Sequence, residues 1–144
     1  MANSLFAAYK QETMGDAAGP GHGAVDWEAD TLKAILIDAA DDTIAVNTDA
    51  DLADITAGAI VSTATLASKT AVLATNTMTM DAADTTFAAV TGDQAEQIVI
   101  YKDSGTGSTS LLIVFFDTFS SGMPVTPNGG DIVAQWNASG IFTW

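Results

Sequence analysis

The chain has 144 residues, a length that fits one domain with a single hydrophobic core. Hydrophobic residues make up 48% of the sequence and charged residues 15%, proportions that exclude a disordered chain. The absence of cysteine excludes disulfide bonds, thiolate catalysis and cysteine-based zinc sites. Eighteen acidic residues face only four lysines, and the resulting net charge of −14 argues against nucleic acid and anionic membranes as partners.

The N-terminal residues predict the only helix of any length, from Ser4 to Met14, with Leu5, Phe6 and Tyr9 on one apolar side. The following Gly-Pro-Gly-His-Gly stretch at 19–23 is incompatible with regular structure. We therefore interpret residues 1–26 as an N-terminal arm with a glycine-rich linker and residues 27–144 as the body. On this interpretation, removal of residues 1–14 leaves the body folded. The start of the chain lacks a basic, apolar export signal, so a soluble protein is expected.

The body predicts short strands separated by turn residues, with no helices between them. This pattern favours an all-β fold: an antiparallel β-sandwich, jelly-roll-like, with a short N-terminal helix or arm. It does not distinguish a jelly roll from other Greek-key sandwiches. The predicted strands are Thr31–Asp38, Ala59–Leu66, Lys69–Thr79, Thr85–Val90, Gln97–Lys102, Leu111–Asp117, Ile132–Trp136 and Ile141–Trp144.

Two acidic or histidine-containing segments are candidates for metal chemistry. His22 is the only histidine and lies among glycines, which favours an exposed loop residue over a catalytic or metal-binding one. The segment Asn47–Asp54 has oxygen ligands at alternating positions, as calcium loops do. It departs from the EF-hand pattern because Leu52 and Gly58 stand where glycine and glutamate are needed. Calcium binding and a solvated acidic loop both remain open.

The remaining polar motifs do not form a known catalytic pattern. Asp41–Asp42 and the pair Asp81 and Asp84 resemble paired carboxylates but lie in turn-like surroundings typical of surface charge. A single histidine and the lack of a Gly-x-Ser-x-Gly elbow argue against a Ser-His-Asp triad. We therefore expect no enzyme activity, no catalytic residue, no cofactor and no metal.

The three tryptophans are candidates for the core or for binding. Trp136 lies between apolar strand residues, which favours a core position. Trp27 and Trp144 could stack on a sugar, and Trp144 could equally dock on a neighbouring subunit.

Several segments, taken in order, resemble small virion proteins of tailed bacteriophages. They are Asn3–Lys10 (NSLFAAYK), Asp30–Asp38 (DTLKAILID), Gly58–Val61 (GAIV), Ile100–Gly105 (IYKDSG) and Met123–Trp136 (MPVTPNGGDIVAQW) followed by Gly140–Phe142 (GIF). The members that are understood structurally are head decoration, or cement, proteins: β-rich modules that form trimers on the capsid. The resemblance spans nearly the whole chain and carries over no catalytic residue.

The resemblance implies a decoration protein that binds the outside of the head as a homotrimer and stabilises contacts between capsomers. Its partners would be further copies of itself and the major capsid protein, with no nucleic acid and no membrane. It would reside in the host cytoplasm before assembly and on the outer capsid surface afterwards. The expected interface residues are Leu5, Phe6, Tyr9 and Trp144. The alternatives are a head- or tail-associated module of a phage fibre or spike, and a carbohydrate-binding β-sandwich.

Overall fold

The computed structural model describes residues 3–14 and 22–144 and has an all-β, sandwich-like fold, as the sequence predicts. Within these residues, ten strands form three antiparallel sheets, and one short α-helix, α1 (Ala7–Thr13), lies near the N-terminus. Most of the predicted glycine-rich linker, residues 15–21, falls outside the described residues. The strands are β1 (Ser4–Leu5), β2 (Leu32–Ile37), β3 (Ile60–Thr65), β4 (Thr70–Ala74), β5 (Thr77–Asp81), β6 (Thr85–Phe87), β7 (Gln97–Lys102), β8 (Leu112–Phe116), β9 (Ile132–Ala134) and β10 (Phe142–Thr143).

The largest sheet has five strands in the order β1-β8-β7-β2-β3. Its central strands are mostly apolar because both of their faces are buried along most of their length. One row across them, Ile35, Val99 and Phe115, and the next row, Leu36, Ile98 and Phe116, point to opposite faces. From Ser62 to Thr65 the edge strand β3 alternates between half-buried and exposed residues, as expected for a strand with one solvent-exposed face.

The smaller sheets have the order β10-β5-β4 and β6-β9. The predicted strand Lys69–Thr79 is in fact a hairpin, because the chain reverses at Thr75 and Asn76 between β4 and β5. Both turn residues have positive φ angles, 46° and 66°, as a type I′ turn requires. Threonine is uncommon at such a position, so the composition of this segment concealed the turn.

The N-terminal residues are part of the body, which corrects the prediction of a separate arm. Ser4 and Leu5 form the edge strand β1 beside Phe115 and Val114 of β8. Phe6 and Tyr9 are buried in the same core as the central strands. The helix is shorter than predicted because Ser4 lies in a strand and cannot cap it. The N-cap position is instead occupied by Phe6, whose side chain makes no capping hydrogen bond.

Candidate functional site

The four residues that the sequence nominates for an interface have different surroundings. Phe6 is fully buried and Tyr9 nearly so, which leaves neither side chain free to contact another subunit. Leu5 is half-buried in β1. Trp144 keeps 39% of its surface exposed and meets Tyr9 edge-to-face, with ring centroids 5.5 Å apart. Of the four, Trp144 presents the most surface for an intermolecular contact.

An aromatic cluster fixes the position of Trp144. Phe142 packs edge-to-face against Tyr9 at 6.2 Å and against Trp27 at 5.3 Å. Trp27 is buried, and its indole N–H donates to the carbonyl of Asp81 at 2.9 Å. Burial also raises the pKa of Tyr9, although the hydrogen bond with Thr13 opposes this. The alternative in which Trp27 stacks on a sugar is therefore wrong, because its ring is buried in the core.

An exposed apolar row continues outward from this cluster across the sheet β10-β5-β4. Trp144 and Met78 exchange both backbone hydrogen bonds, at 2.9 and 3.0 Å, and Met78 stands opposite Leu73. Directly opposed residues share one face of a sheet, so these three side chains form a single row. We call Leu73, Met78 and Trp144 the hairpin row.

The hairpin row lies on the side of the sheet that faces the core. In the neighbouring row on the same face, Met80 is buried and Ala71 and Phe142 are half-buried against the core, where Phe142 meets Tyr9 and Trp27. The hairpin row lies two residues nearer the turn, where the same face of the sheet extends past the core. As a result, Leu73 is 66% exposed. The hairpin therefore presents a core-like face to the surroundings.

This hairpin carries no charged side chain before Asp81, the last residue of β5, although the chain as a whole carries −14. Residues 70–80 contain no ionisable side chain. At the base of the hairpin, Lys69 donates to the carbonyl of Glu28 at 3.0 Å, and the Glu28 carboxylate accepts the N–H of Ala71 at 3.1 Å. The electrostatic repulsion between copies of this protein is therefore weakest toward the hairpin turn.

His22 is buried, which corrects the expectation of an exposed loop histidine. Its Nδ1 lies 3.5 Å from Glu12 Oε1 on α1, and its Nε2 lies 3.6 Å from Asp51 Oδ2. The backbone N–H of His22 also donates to Glu12 at 3.3 Å. The ring thus lies between the N-terminal helix and the acidic loop of the body.

The acidic segment Asn47–Asp54 uses its carboxylates within the loop. Asp51 and Asp54 form a reciprocal capping box around the 3₁₀ turn Leu52–Asp54. Asp49 accepts the N–H of Ala45 at 2.6 Å, and burial raises the pKa of Asp49 in spite of this bond. These bonds explain the alternating acidic pattern by local backbone capping.

A different acidic group brings its oxygens together. Among the described residues, Asp38, Asp41 and Asp93 place one carboxylate oxygen each within 4.8 Å of one another. Asp38 is buried, and its Oδ1 accepts the N–H of Ala40 at 2.7 Å. The sequence gives no sign of this group because Asp93 is distant in the chain and reaches the other two through the pairing of β2 with β7.

An open cleft of about 700 Å³ lies between the five-stranded sheet and the C-terminal strands. Its floor includes Leu36, Ile98 and Phe116, and its walls include Trp136, which is half-buried and donates to Thr85 Oγ1 at 3.1 Å. None of the described residues that line the cleft is ionisable. The cleft therefore suits a neutral ligand rather than a charged one.

In comparisons with known proteins, no protein-family model and no curated protein matches the chain. Over residues 3–14 and 22–144, none of the helices is both long enough and apolar enough to cross a bilayer.

Sequence reasoning missed Leu73 and Met78 because it took their two strands as one. The signal that could have found them is Asn76, a turn residue between two short apolar segments.

Proposed function

We propose that this chain is a structural protein of a tailed-phage virion that decorates the outside of the head as a trimer. It acts by contact and not by catalysis. Its partners are other copies of itself and the major capsid protein, and it waits in the host cytoplasm until it joins the outer surface. Neither nucleic acid nor membrane belongs to this role.

One observation carries the proposal: most of the strongly exposed large apolar side chains lie on one small sheet, whose hairpin has no charged side chain over residues 70–80. Five large apolar side chains are strongly exposed in the described part of the chain, and three of them, Val72, Leu73 and Trp144, lie on the sheet β10-β5-β4. An apolar sheet at one end of the molecule can bind a capsid shell. The acidic surface of the rest of the molecule can repel other particles. The acidic surface also favours a position away from packaged DNA.

The test uses heads of the phage that encodes this chain, assembled without it. Purified protein is added, and binding is measured by co-sedimentation and by imaging of the particles. We expect saturation at hundreds of copies in a regular surface pattern, and heads that retain DNA at higher temperature. An unrelated acidic protein of equal size is the control.

The outcome separates the candidates by copy number. Failure to bind would overturn the proposal, and a handful of copies at one vertex would favour a fibre- or tail-associated module.

Carbohydrate binding is a second candidate, favoured by the uncharged cleft. Aromatic rings such as Phe116 and Trp136 line the cleft together with amides such as Gln135 and Asn137. Sugars bind to such combinations of rings and neutral polar groups. Glycan-array binding that is lost in Gln135→Ala and retained in Leu73→Asp would favour this candidate.

A further inference from the structure

We infer that the hairpin row Leu73, Met78 and Trp144 is the surface through which one copy of this chain packs on another. The inference deepens the proposed function, and it rests on that function only for the number of copies that meet. Its basis is the core-facing side of the sheet β10-β5-β4, which extends past the residues that pack against the core and is exposed there.

The first step is the continuity of the row with the interior. Cross-strand pairing places Leu73, Met78 and Trp144 on the face that packs Met80 and Phe142 against the core. Exposure increases along the row from the half-buried Met78 to Leu73, which is 66% exposed on the outer strand β4. A sheet face of this kind is normally covered by another apolar layer.

The second step concerns which molecule packs on this face, and we infer that it is a second copy of the chain. Residues 70–80 carry no charge, so the hairpin offers nothing to a basic or acidic partner, which would find its complement elsewhere on a chain of net charge −14. A second copy presents the same neutral, apolar row. Two copies can meet here without burying a charged side chain, and their acidic surfaces remain apart.

The third step concerns strength. The exposed parts of Leu73 and Trp144 with the adjoining Met78 amount to an apolar area on the order of a few hundred Å² per copy, below the ~800 Å² per partner of a standard stable interface. We therefore expect association in the micromolar to millimolar range in solution. Binding to a common surface raises the effective concentration and strengthens such weak contacts.

The test is sedimentation velocity of the full chain over a range of concentrations, in salt sufficient to screen the net charge. We expect concentration-dependent association that falls at least tenfold in Leu73→Asp. Val133→Asp is the matched control, because Val133 is 50% exposed on the separate strand β9. Circular dichroism confirms that both variants stay folded, as exposed positions allow.

A second measurement uses the absence of cysteine. A polarity-sensitive fluorophore on Leu73→Cys should shift to the blue as the concentration rises, and one on Val133→Cys should not. Monomers at every concentration, or equal association of Leu73→Asp and the unmodified chain, would overturn the inference.

The outcomes separate the inference from the proposed function. Trimers that depend on Leu73 support both, and dimers that depend on Leu73 support the inference but overturn the proposed trimer. Association through the row with no binding to phage heads would leave the inference standing while the proposed function falls.

Discussion

At the scale of single residues, His22 has the most unusual surroundings in the described chain. Its side chain has no exposed surface, and its two ring nitrogens lie 3.5 and 3.6 Å from the carboxylates of Glu12 and Asp51. Neither nitrogen makes a hydrogen bond of good geometry. The imidazole separates two acidic groups that come from different elements, α1 and the loop before the 3₁₀ turn. It therefore helps to hold the N-terminal segment against the body.

Replacement of His22 by alanine should lower the free energy of unfolding by about 1 to 3 kcal/mol, because it leaves a void between two carboxylates in a poorly solvated place. Urea unfolding followed by circular dichroism measures this loss. His22→Gln, which keeps a polar side chain of similar length, should lose less. Equal stability of the alanine variant and the unmodified chain would show that the ring contributes nothing to this attachment.

The ion pair between Lys33 and Asp103 gives a pH-dependent prediction at the same scale. Lys33 Nζ lies 2.6 Å from Asp103 Oδ2. This hydrogen bond lowers the pKa of Asp103 from its ordinary 3.8 and raises the pKa of Lys33 from 10.5. Stability from the aspartate is therefore present above its ordinary pKa and is lost as the pH falls through the lowered value. Stability from the lysine is lost only as the pH rises through the raised value.

Asp103→Asn should remove about 0.5 to 1 kcal/mol at neutral pH, the range of a partly exposed pair. It should also flatten the fall in stability below the ordinary pKa of aspartate. Thermal unfolding between pH 2 and 7 measures both effects. Asp41→Asn, which removes an equal charge from an exposed position, is the control and should not lower stability at neutral pH. The same acid-induced loss in Asp103→Asn and the unmodified chain would contradict the role of the pair.

At the scale of elements, the N-terminal segment shows where the sequence was insufficient. An apolar side of Leu5, Phe6 and Tyr9 is equally compatible with a detached arm and with a segment docked on its own body. Local pattern cannot tell which surface covers an apolar face, because that depends on contacts with residues more than a hundred positions away, such as Val114 and Phe115. By contrast, the central strands were predictable, since short apolar runs such as Ala34–Ile37, Ile98–Tyr101 and Leu112–Phe116 indicate strands buried on both faces.

Deletion of residues 1–14 should therefore unfold the protein or destabilise it severely, contrary to the expectation from sequence. The deletion removes an edge strand from the main sheet and two large aromatic side chains from the core. Phe6→Ala alone should lower the free energy of unfolding by about 3 to 5 kcal/mol. Thermal melting of both variants tests this, with Lys10→Ala on the exposed side of α1 as the control. A truncated protein with an unchanged melting temperature would support the original prediction of a separate N-terminal arm.

The pairing of β10 with β5 depends on Gly140, which has a φ angle of +104°. A Cβ at this position would overlap Thr79 Cγ2 and stand 3.1 Å from the carbonyl oxygen of Met80. Gly140→Ala should therefore lower stability by about 2 to 4 kcal/mol, from backbone strain and overpacking together.

Gly129→Ala is the matched control, because Gly129 also has a positive φ but has open space around its Cα. It should lower stability by only about 1 to 2 kcal/mol. Chemical unfolding of the two variants isolates the steric part of the effect. Equal losses would show that β10 can move away from Thr79 without disturbing the sheet.

At the scale of the whole molecule, the lysines are unevenly placed. The register of the main sheet puts Leu32 opposite Lys102 and Lys33 opposite Thr65, so two lysines lie at the end where β2 begins. Asp38 and Glu96 lie at the other end of the same strands, beyond Ile37 and before Gln97. Composition predicts the size of the net charge, but only strand register decides where the few lysines offset it.

Self-repulsion of the net charge of −14 should make the folded state sensitive to ionic strength. Salt screens exposed like charges over a Debye length that falls from about 30 Å at 0.01 M to about 3 Å at 1 M. The melting temperature should therefore rise as sodium chloride increases over this range. The opposing loss from the Lys33–Asp103 and Lys102–Asp30 pairs is smaller, because the 18 acidic residues of the sequence far outnumber its four lysines. A melting temperature that stays constant or falls with salt would mean that these few attractive contacts outweigh the repulsion among the remaining carboxylates.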